Sequence, residues 1–219
     1  MPFAHNDDVD IYYEVMGGGA DDPTMLLING LGSQCINFSE AWCAMLVARG
    51  LRVIRFDNRD MGLSTHFSDR RPDADGAWYS IGDMVDDAVA VLDSVEARQA
   101  HVVGLSMGGM IAQAMAINHP SKVKSLCSVM SNTGDRKNGG IAFSLVRKYG
   151  RRPAPTIENA VEESVFANSL TAGDHFDEDE LRERTKISVA RSFTPAGSAR
   201  QAAAIGGSAD RTARLRQLK

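Results

Sequence analysis

A serine carried from a short apolar strand straight into a helix is the feature of this chain that most directly implies chemistry. The run is His101-Val102-Val103-Gly104-Leu105-Ser106-Met107-Gly108-Gly109. Within it, Gly104-Leu105-Ser106-Met107-Gly108 reads as G-x-S-x-G, a tight strand-to-helix turn that strains the serine backbone and lifts its hydroxyl clear of the sheet. The flanking glycines are required because side chains there would collide with the neighbouring strand and helix. The next backbone N–H, that of Met107, then faces the place where an oxyanion would form, and the positive end of the helix dipole reinforces it. Strand-like residues precede the motif, and an apolar helical stretch at 110–117 follows, closed by His119-Pro120. A nucleotide-binding turn, with Gly108-Gly109 as a packing site and Ser106 as a cap, would bring G-x-G-x-x-G and an acidic residue at the end of the next strand. Neither is present.

A second constellation is expected at the same end of the sheet. Immediately after an apolar strand at 24–28 comes the glycine-rich loop Asn29-Gly30-Leu31-Gly32-Ser33, whose backbone can donate to the same anion. The second oxyanion N–H is assigned to Leu31, with Gly32 as the neighbouring candidate. After a strand at 51–57, Asp57-Asn58-Arg59-Asp60-Met61-Gly62-Leu63-Ser64 packs turn formers and charges densely. Carboxylates buried beside an arginine usually hold a loop together, so Asp57 and Arg59 are assigned a structural hydrogen-bonding role rather than a catalytic one.

The elements that must position these loops alternate between strand and helix through the first 130 residues, which argues for a mostly parallel sheet covered by helices on both faces. Residues 9–15 read as an antiparallel edge strand and 36–49 as a helix with Trp42, Met45, Leu46 and Arg49 on one face. Ser80 and Asp83 form an S-x-x-D box opening a helix with Ile81, Met84, Val85, Ala88, Leu92 and Val95 at the 3.6 period. Strands follow at 101–105 and 123–130. The α/β pattern stops near Ser131. The expected organisation is a core at 1–134, a helical cap at 135–197 with helices at 141–149, 157–170 and 180–193, and a helix at 198–219.

With 219 residues, 43% hydrophobic and 24% charged, the chain fits one large globular domain with a small insertion. A net charge of -4 gives no electrostatic footprint for nucleic acid or an anionic membrane. No apolar run approaches spanning length and the first residues lack the pattern of a signal peptide, so the cytoplasm is the expected location. Cys35, Cys43 and Cys127 are read as reduced packing residues. No metal or organic cofactor is implied.

LLINGLGSQ, RFDNRDMGLST and HVVGLSMGGMIAQ, in this order and spacing, resemble the serine-nucleophile branch of the α/β-hydrolase fold. Within it the chain is most similar to small-molecule esterases of the aclacinomycin methylesterase type, and less so to enol-lactonases. The resemblance implies strand order 1-2-4-3-5-6, Ser106 as nucleophile, and Leu31 and Met107 as oxyanion donors. It also implies a small-molecule ester substrate held between sheet and cap. Where that family usually has His-Gly at the oxyanion loop, this chain has Asn29-Gly30. In the family the catalytic acid follows a seventh strand and the histidine precedes a final helix. Residues 214–219 fall where that strand is expected to begin, so the resemblance implies an N-terminal portion whose Ser106 lacks its base and turns over little. His101 and His119 are expected at the far end of the sheet and His5 near the N-terminus, while His66 and His175 could face Ser106 but read as solvated loop residues. The rival readings are a carbon–carbon bond hydrolase or cofactor-free haloperoxidase on the same scaffold, and a non-catalytic protein that binds a small molecule.

Overall fold

The computed structural model describes residues 1–19, 22–74, 76–135, 137–138, 147–148, 152 and 154–218, with the backbone alone at His175. Six strands form one sheet: β1 (Phe3–Asn6), β2 (Val9–Met16), β3 (Thr24–Ile28), β4 (Arg52–Phe56), β5 (Ala100–Leu105) and β6 (Val123–Val129). Their order is β1-β2-β4-β3-β5-β6. The pairs β1–β2 and β2–β4 are antiparallel, and β4, β3, β5 and β6 run parallel, with Leu26 opposite both Ile54 and Val102. This is the expected α/β architecture and strand order.

The central strands β3 and β4 are buried on both faces, and their two-residue period shows how. Leu26 and Ile28 join Ile54, Phe56 and Val102 in the larger core beneath helices α2 (Ile81–Ser94) and α3 (Met107–Asn118). The intervening Leu27 turns the other way, into a smaller cluster with Val53, Phe38 and Cys43 under helix α1 (Glu40–Val47). Helix α2 starts where the box predicts: the Ser80 side chain accepts from Asp83 N–H while the Asp83 carboxylate accepts from Ser80 N–H at 2.7 Å.

Several elements differ from the sequence reading. The strand at 9–15 is not the edge, because β1 pairs outside it. The predicted helix 36–49 is a 3-10 turn, Cys35–Asn37, followed by α1, since the Ser39 side chain accepts from Trp42 N–H and restarts the helix there. Its predicted face is largely turned outward: Trp42 and Met45 are exposed and Cys43 is the buried member. Cys35 is also buried, but Cys127 is exposed on β6, so it is not a packing residue. Beyond the sheet lie α4 (Ala160–Ser169), α5 (Glu178–Arg191), α6 (Pro195–Gly206) and α7 (Thr212–Leu215). The single helix expected over 198–219 is therefore two helices. The one predicted at 141–149 falls outside the described residues except at 147 and 148. No helix among the described residues is long and apolar enough to cross a membrane.

Candidate active site

Because β3, β4 and β5 are parallel neighbours, the loops that follow them converge at one end of the sheet. Ser106 sits at the end of β5 with φ 51° and ψ -115°, a conformation that costs a non-glycine residue of order 1–3 kcal/mol. The turn around it is held on both sides. Ser106 N–H donates to Val129 O at 2.9 Å, and Ser106 O accepts from Gly109 N–H at 2.9 Å and Met110 N–H at 3.2 Å. The motif glycines are spacers: a β-carbon on Gly104 would lie 2.1 Å from Gly108 O, and one on Gly108 would lie 2.1 Å from Ile28 O. Helix α3 can approach β3 and β5 this closely only without those side chains. Met107 opens the helix, so its N–H belongs to the first turn, which has no intrahelical acceptors.

The loop after β3 stands beside this turn. A β-carbon on Gly30 would lie 3.4 Å from Ser106 Cβ. Asn29 is buried and ties the loop in two directions, its Nδ2 donating to Gln34 O at 3.0 Å and its carbonyl accepting from Asn58 Nδ2 at 3.1 Å. The structure separates the two candidate donors of the sequence reading. Gly32 N–H is already bonded to Gln201 Oε1 at 2.9 Å, which leaves Leu31 as the better candidate.

The loop after β4 is the scaffold that the sequence assigns it to be. Asp57 is fully buried; it accepts from Cys35 N–H at 2.6 Å and Leu63 N–H at 2.9 Å and pairs with Arg191 of α5 at 2.7 Å. Arg59 forms a bidentate pair with Asp87 of α2, at 2.6 and 2.7 Å. Asp60 accepts from Tyr79 Oη at 2.8 Å, Phe67 N–H at 2.8 Å and Arg200 at 2.7 Å through each oxygen. Burial alone would push the Asp60 carboxyl up, but these donors hold it below the ordinary carboxylate range. Burial beside Asp57 and Glu14 drives the Cys35 thiol well up, so it stays protonated and is no rival nucleophile.

A cavity of about 610 Å³ lies above this end of the sheet, between Leu31, Gly32, Ser33, Gln34 and Met61 below and residues of α4, α5 and α6 above. Its lining is rich in hydroxyls, among them Ser164, Thr185, Ser188, Ser192 and Ser198. Ser106 itself is not in the lining; Leu31 and Gly32 are, and they follow directly on Gly30, whose backbone stands against Ser106.

The structure does not bring a described histidine side chain to Ser106. His5 bonds Asp10 at 2.7 Å, His66 bonds Gly62 O at 3.0 Å, His101 bonds Ser125 Oγ at 2.7 Å, and His119 lies 3.5 Å from Asp86. The His175 side chain lies outside the described residues. Among those residues no group of His, Cys, Asp and Glu could hold a metal ion. The sequence reading missed Gln34, Arg191 and Gln201, which tie the loops to the overlying helices. The available signal was faint: a lone amide, Gln201, before an alanine run.

Comparison with known proteins gives a consistent picture. The family model described as alpha/beta hydrolase fold matches residues 23–187. Rhodomycin D methylesterase DnrP of Streptomyces peucetius is 30% identical over 210 residues, covering 86% of this chain and 68% of the relative. Among solved structures, a hydrolase from Pseudomonas aeruginosa superposes with a TM-score of 0.71 at 22% identity, covering 100% of this chain and 76% of the other. The enol-lactonase from Burkholderia xenovorans LB400 gives 0.66 at 19% identity, covering 96% and 75%.

Proposed function

This chain belongs to the α/β-hydrolase fold family, and on that footing we propose that it hydrolyses a carboxylic ester of a small molecule, with Ser106 as nucleophile and Leu31 and Met107 as oxyanion donors. The observation that carries the reading is the strained Ser106 at the head of α3, with the Gly30 backbone against it. Ser106 Oγ would attack the ester carbonyl while a base takes its proton. The negative charge on the carbonyl oxygen would be met by the two N–H groups, and collapse of the tetrahedral species would expel the alcohol and leave an acyl-serine for water to cleave. A methylesterase relative supports the ester as the bond attacked. The described histidines are committed elsewhere, so this reading places the base and its orienting acid outside the described side chains.

The test is covalent. A fluorophosphonate should modify Ser106, located by peptide mass mapping, and Ser106→Ala should abolish both the adduct and any ester hydrolysis. An adduct on another residue, or hydrolysis that survives Ser106→Ala, overturns the assignment.

A further inference from the structure

Gln201 is a fully buried amide on α6, and both of its arms are used. Its Oε1 accepts from Gly32 N–H at 2.9 Å and its Nε2 donates to Arg59 O at 3.0 Å. The partners fix the orientation of the amide, because a flipped group would set donor against donor and acceptor against acceptor. One side chain thus joins the loop after β3, the loop after β4 and α6. The helix is seated hard on those loops around it. A β-carbon on Gly197 would lie 2.4 Å from Asp60 O, one on Gly32 would lie 2.9 Å from Ser198 Oγ, and Arg200 grips Asp60.

The consequence lies in the two peptide planes that flank Leu31. In the first, which contains Leu31 N–H, the Gly30 carbonyl accepts from Ser33 N–H at 3.3 Å and so points into the turn. In a planar trans peptide the N–H points opposite to the carbonyl, so Leu31 N–H is directed out of that turn. The second plane, between Leu31 and Gly32, would be free to rotate, since Gly32 sits at φ 71° and glycine crosses this region at little cost. Gln201 Oε1 removes that freedom by holding Gly32 N–H. With both planes held, the backbone of Leu31 is held.

We propose that Gln201 is the positioning residue of the oxyanion loop: it keeps Leu31 N–H on the developing oxyanion and withdraws Gly32 N–H from competing for it. The inference rests on the reading of Ser106 as an ester nucleophile. Gln201 touches neither substrate nor Ser106 and acts only through Gly32.

The experiment compares wild type with Gln201→Met, which fills similar space without either hydrogen bond, by fluorophosphonate labelling of Ser106 with the binding constant and the covalent rate constant separated. The covalent rate constant per folded molecule should fall about tenfold or more, short of the roughly 10²–10³ lost when an oxyanion donor is removed outright. The binding constant should stay unchanged. A merely structural Gln201 would lower the labelled fraction and leave that rate constant intact, and that result overturns the proposal. Gln201→Glu keeps an acceptor for Gly32 N–H and, with burial holding its carboxyl protonated, a donor for Arg59 O, so this variant should recover most of the rate. Amide exchange in the wild type keeps the test open should the variants not fold: Gly32 N–H should exchange at least about tenfold more slowly than Leu31 N–H, as a bonded amide beside an open one. Equal exchange at the two overturns the proposal. Failure of the underlying ester reading looks different, namely no adduct at Ser106 in the wild type, and it would remove this inference as well.

Discussion

Helices α3 and α5 are 12 and 14 residues long, yet they are held in place by opposite means. Nine positions of α3 are buried, including Gly108 and Gly109, and the helix touches the sheet closely enough to leave no room for a β-carbon. In α5 the buried residue is Leu181, and the helix is dressed with ion pairs from Arg182 to Glu162 and Glu178, from Arg184 to Glu180 and from Lys186 to Glu183. Its described polar ties to the sheet side are concentrated at its C-terminal end. There Arg191 meets Asp57 and Gln34, and Gln34 Nε2 donates to Ser188 O and Ser192 O. The nucleophile turn is therefore fixed by close contact at its glycines together with its backbone hydrogen bonds, whereas the helix above the cavity is fixed at a few polar points. The first arrangement holds a geometry, and the second roofs the cavity of about 610 Å³.

The largest loss is expected from a side chain placed where steric exclusion acts. Gly108→Ala would bring its methyl to 2.1 Å from Ile28 O and 2.6 Å from Asn29 O, both backbone atoms. Neither can move without displacing β3 and the loop after it. The expected cost exceeds about 3 kcal/mol, the top of the usual overpacking range, and the chain should lose its cooperative thermal transition. A melt like that of the wild type would show that the turn is looser than its contacts imply.

Next in size is the polar anchor of α5. Arg191→Met leaves Asp57 fully buried, with its two backbone donors and no cation. Breaking a buried pair from one side costs about 3–5 kcal/mol, and the lower end is expected because the Arg191 side chain keeps 16% exposure. Chemical denaturation measures the loss. Amide exchange should show where it falls, with faster exchange at 185–192 and 34–35 and none of the change at Val102. Uniform acceleration across β5 would mean that the anchor belongs to the core after all.

What the sequence disclosed follows the same division. β3, β5 and the Ser80–Asp83 box were legible because apolar period and capping chemistry are local, written within a few residues of where they act. β1 was not, since four residues with one buried side chain, Ala4, carry no period to read. The face of α1 was misjudged because Trp42 stacks on Phe38 with ring centroids 5.6 Å apart and stays partly exposed, which apolarity alone does not reveal. At the site, Ser106 and the glycine loop were visible, whereas Gln201, Arg191 and the Asp87 partner of Arg59 were not. Those residues meet their partners across 142, 134 and 28 positions of chain, and each reads locally as an ordinary polar residue on a helix.

A smaller effect is expected from acid, through Asp60. Its folded carboxyl is held below the ordinary value by Arg200, Phe67 N–H and Tyr79 despite burial. A depressed carboxylate contributes stability that is present above its unfolded value of about 3.9 and is lost as pH falls through the lower folded value. Asp60→Asn should therefore melt below the wild type at neutral pH, and the gap should narrow as pH drops below about 4. Asp83, also depressed, is common to both proteins and cancels in the difference. A gap that stays constant down to acid pH would show that Asp60 acts by shape and hydrogen bonding and not by charge.

The smallest effect is expected where α5 is most heavily charged. Arg182 pairs with Glu162 of α4, the shorter contact of 2.5 Å, and with Glu178 one turn earlier at 2.8 Å, and both carboxylates are more than half-open or half-open to water at 61% and 50%. Two charges in water exchange hydration for a contact of similar value, lose side-chain freedom in making it and are screened over about 8 Å at physiological salt. Arg182→Ala should leave the melting temperature of the chain where it is at about 0.15 M salt and lower it only slightly in dilute buffer. The contact between α4 and α5 would then rest on what little is buried between them, Ala160 and Leu181, together with the Ser164–Thr185 hydroxyl bond of 3.0 Å. Leu181→Ala is the counterpart: it should loosen α4 and α5 together, seen as faster amide exchange in both helices, while Ser106 and its neighbours in α3 keep their protection. If Arg182→Ala proves the more damaging of the two at physiological salt, the helices above the cavity are held by charge, and the contrast drawn between α3 and α5 becomes one of packing against electrostatics.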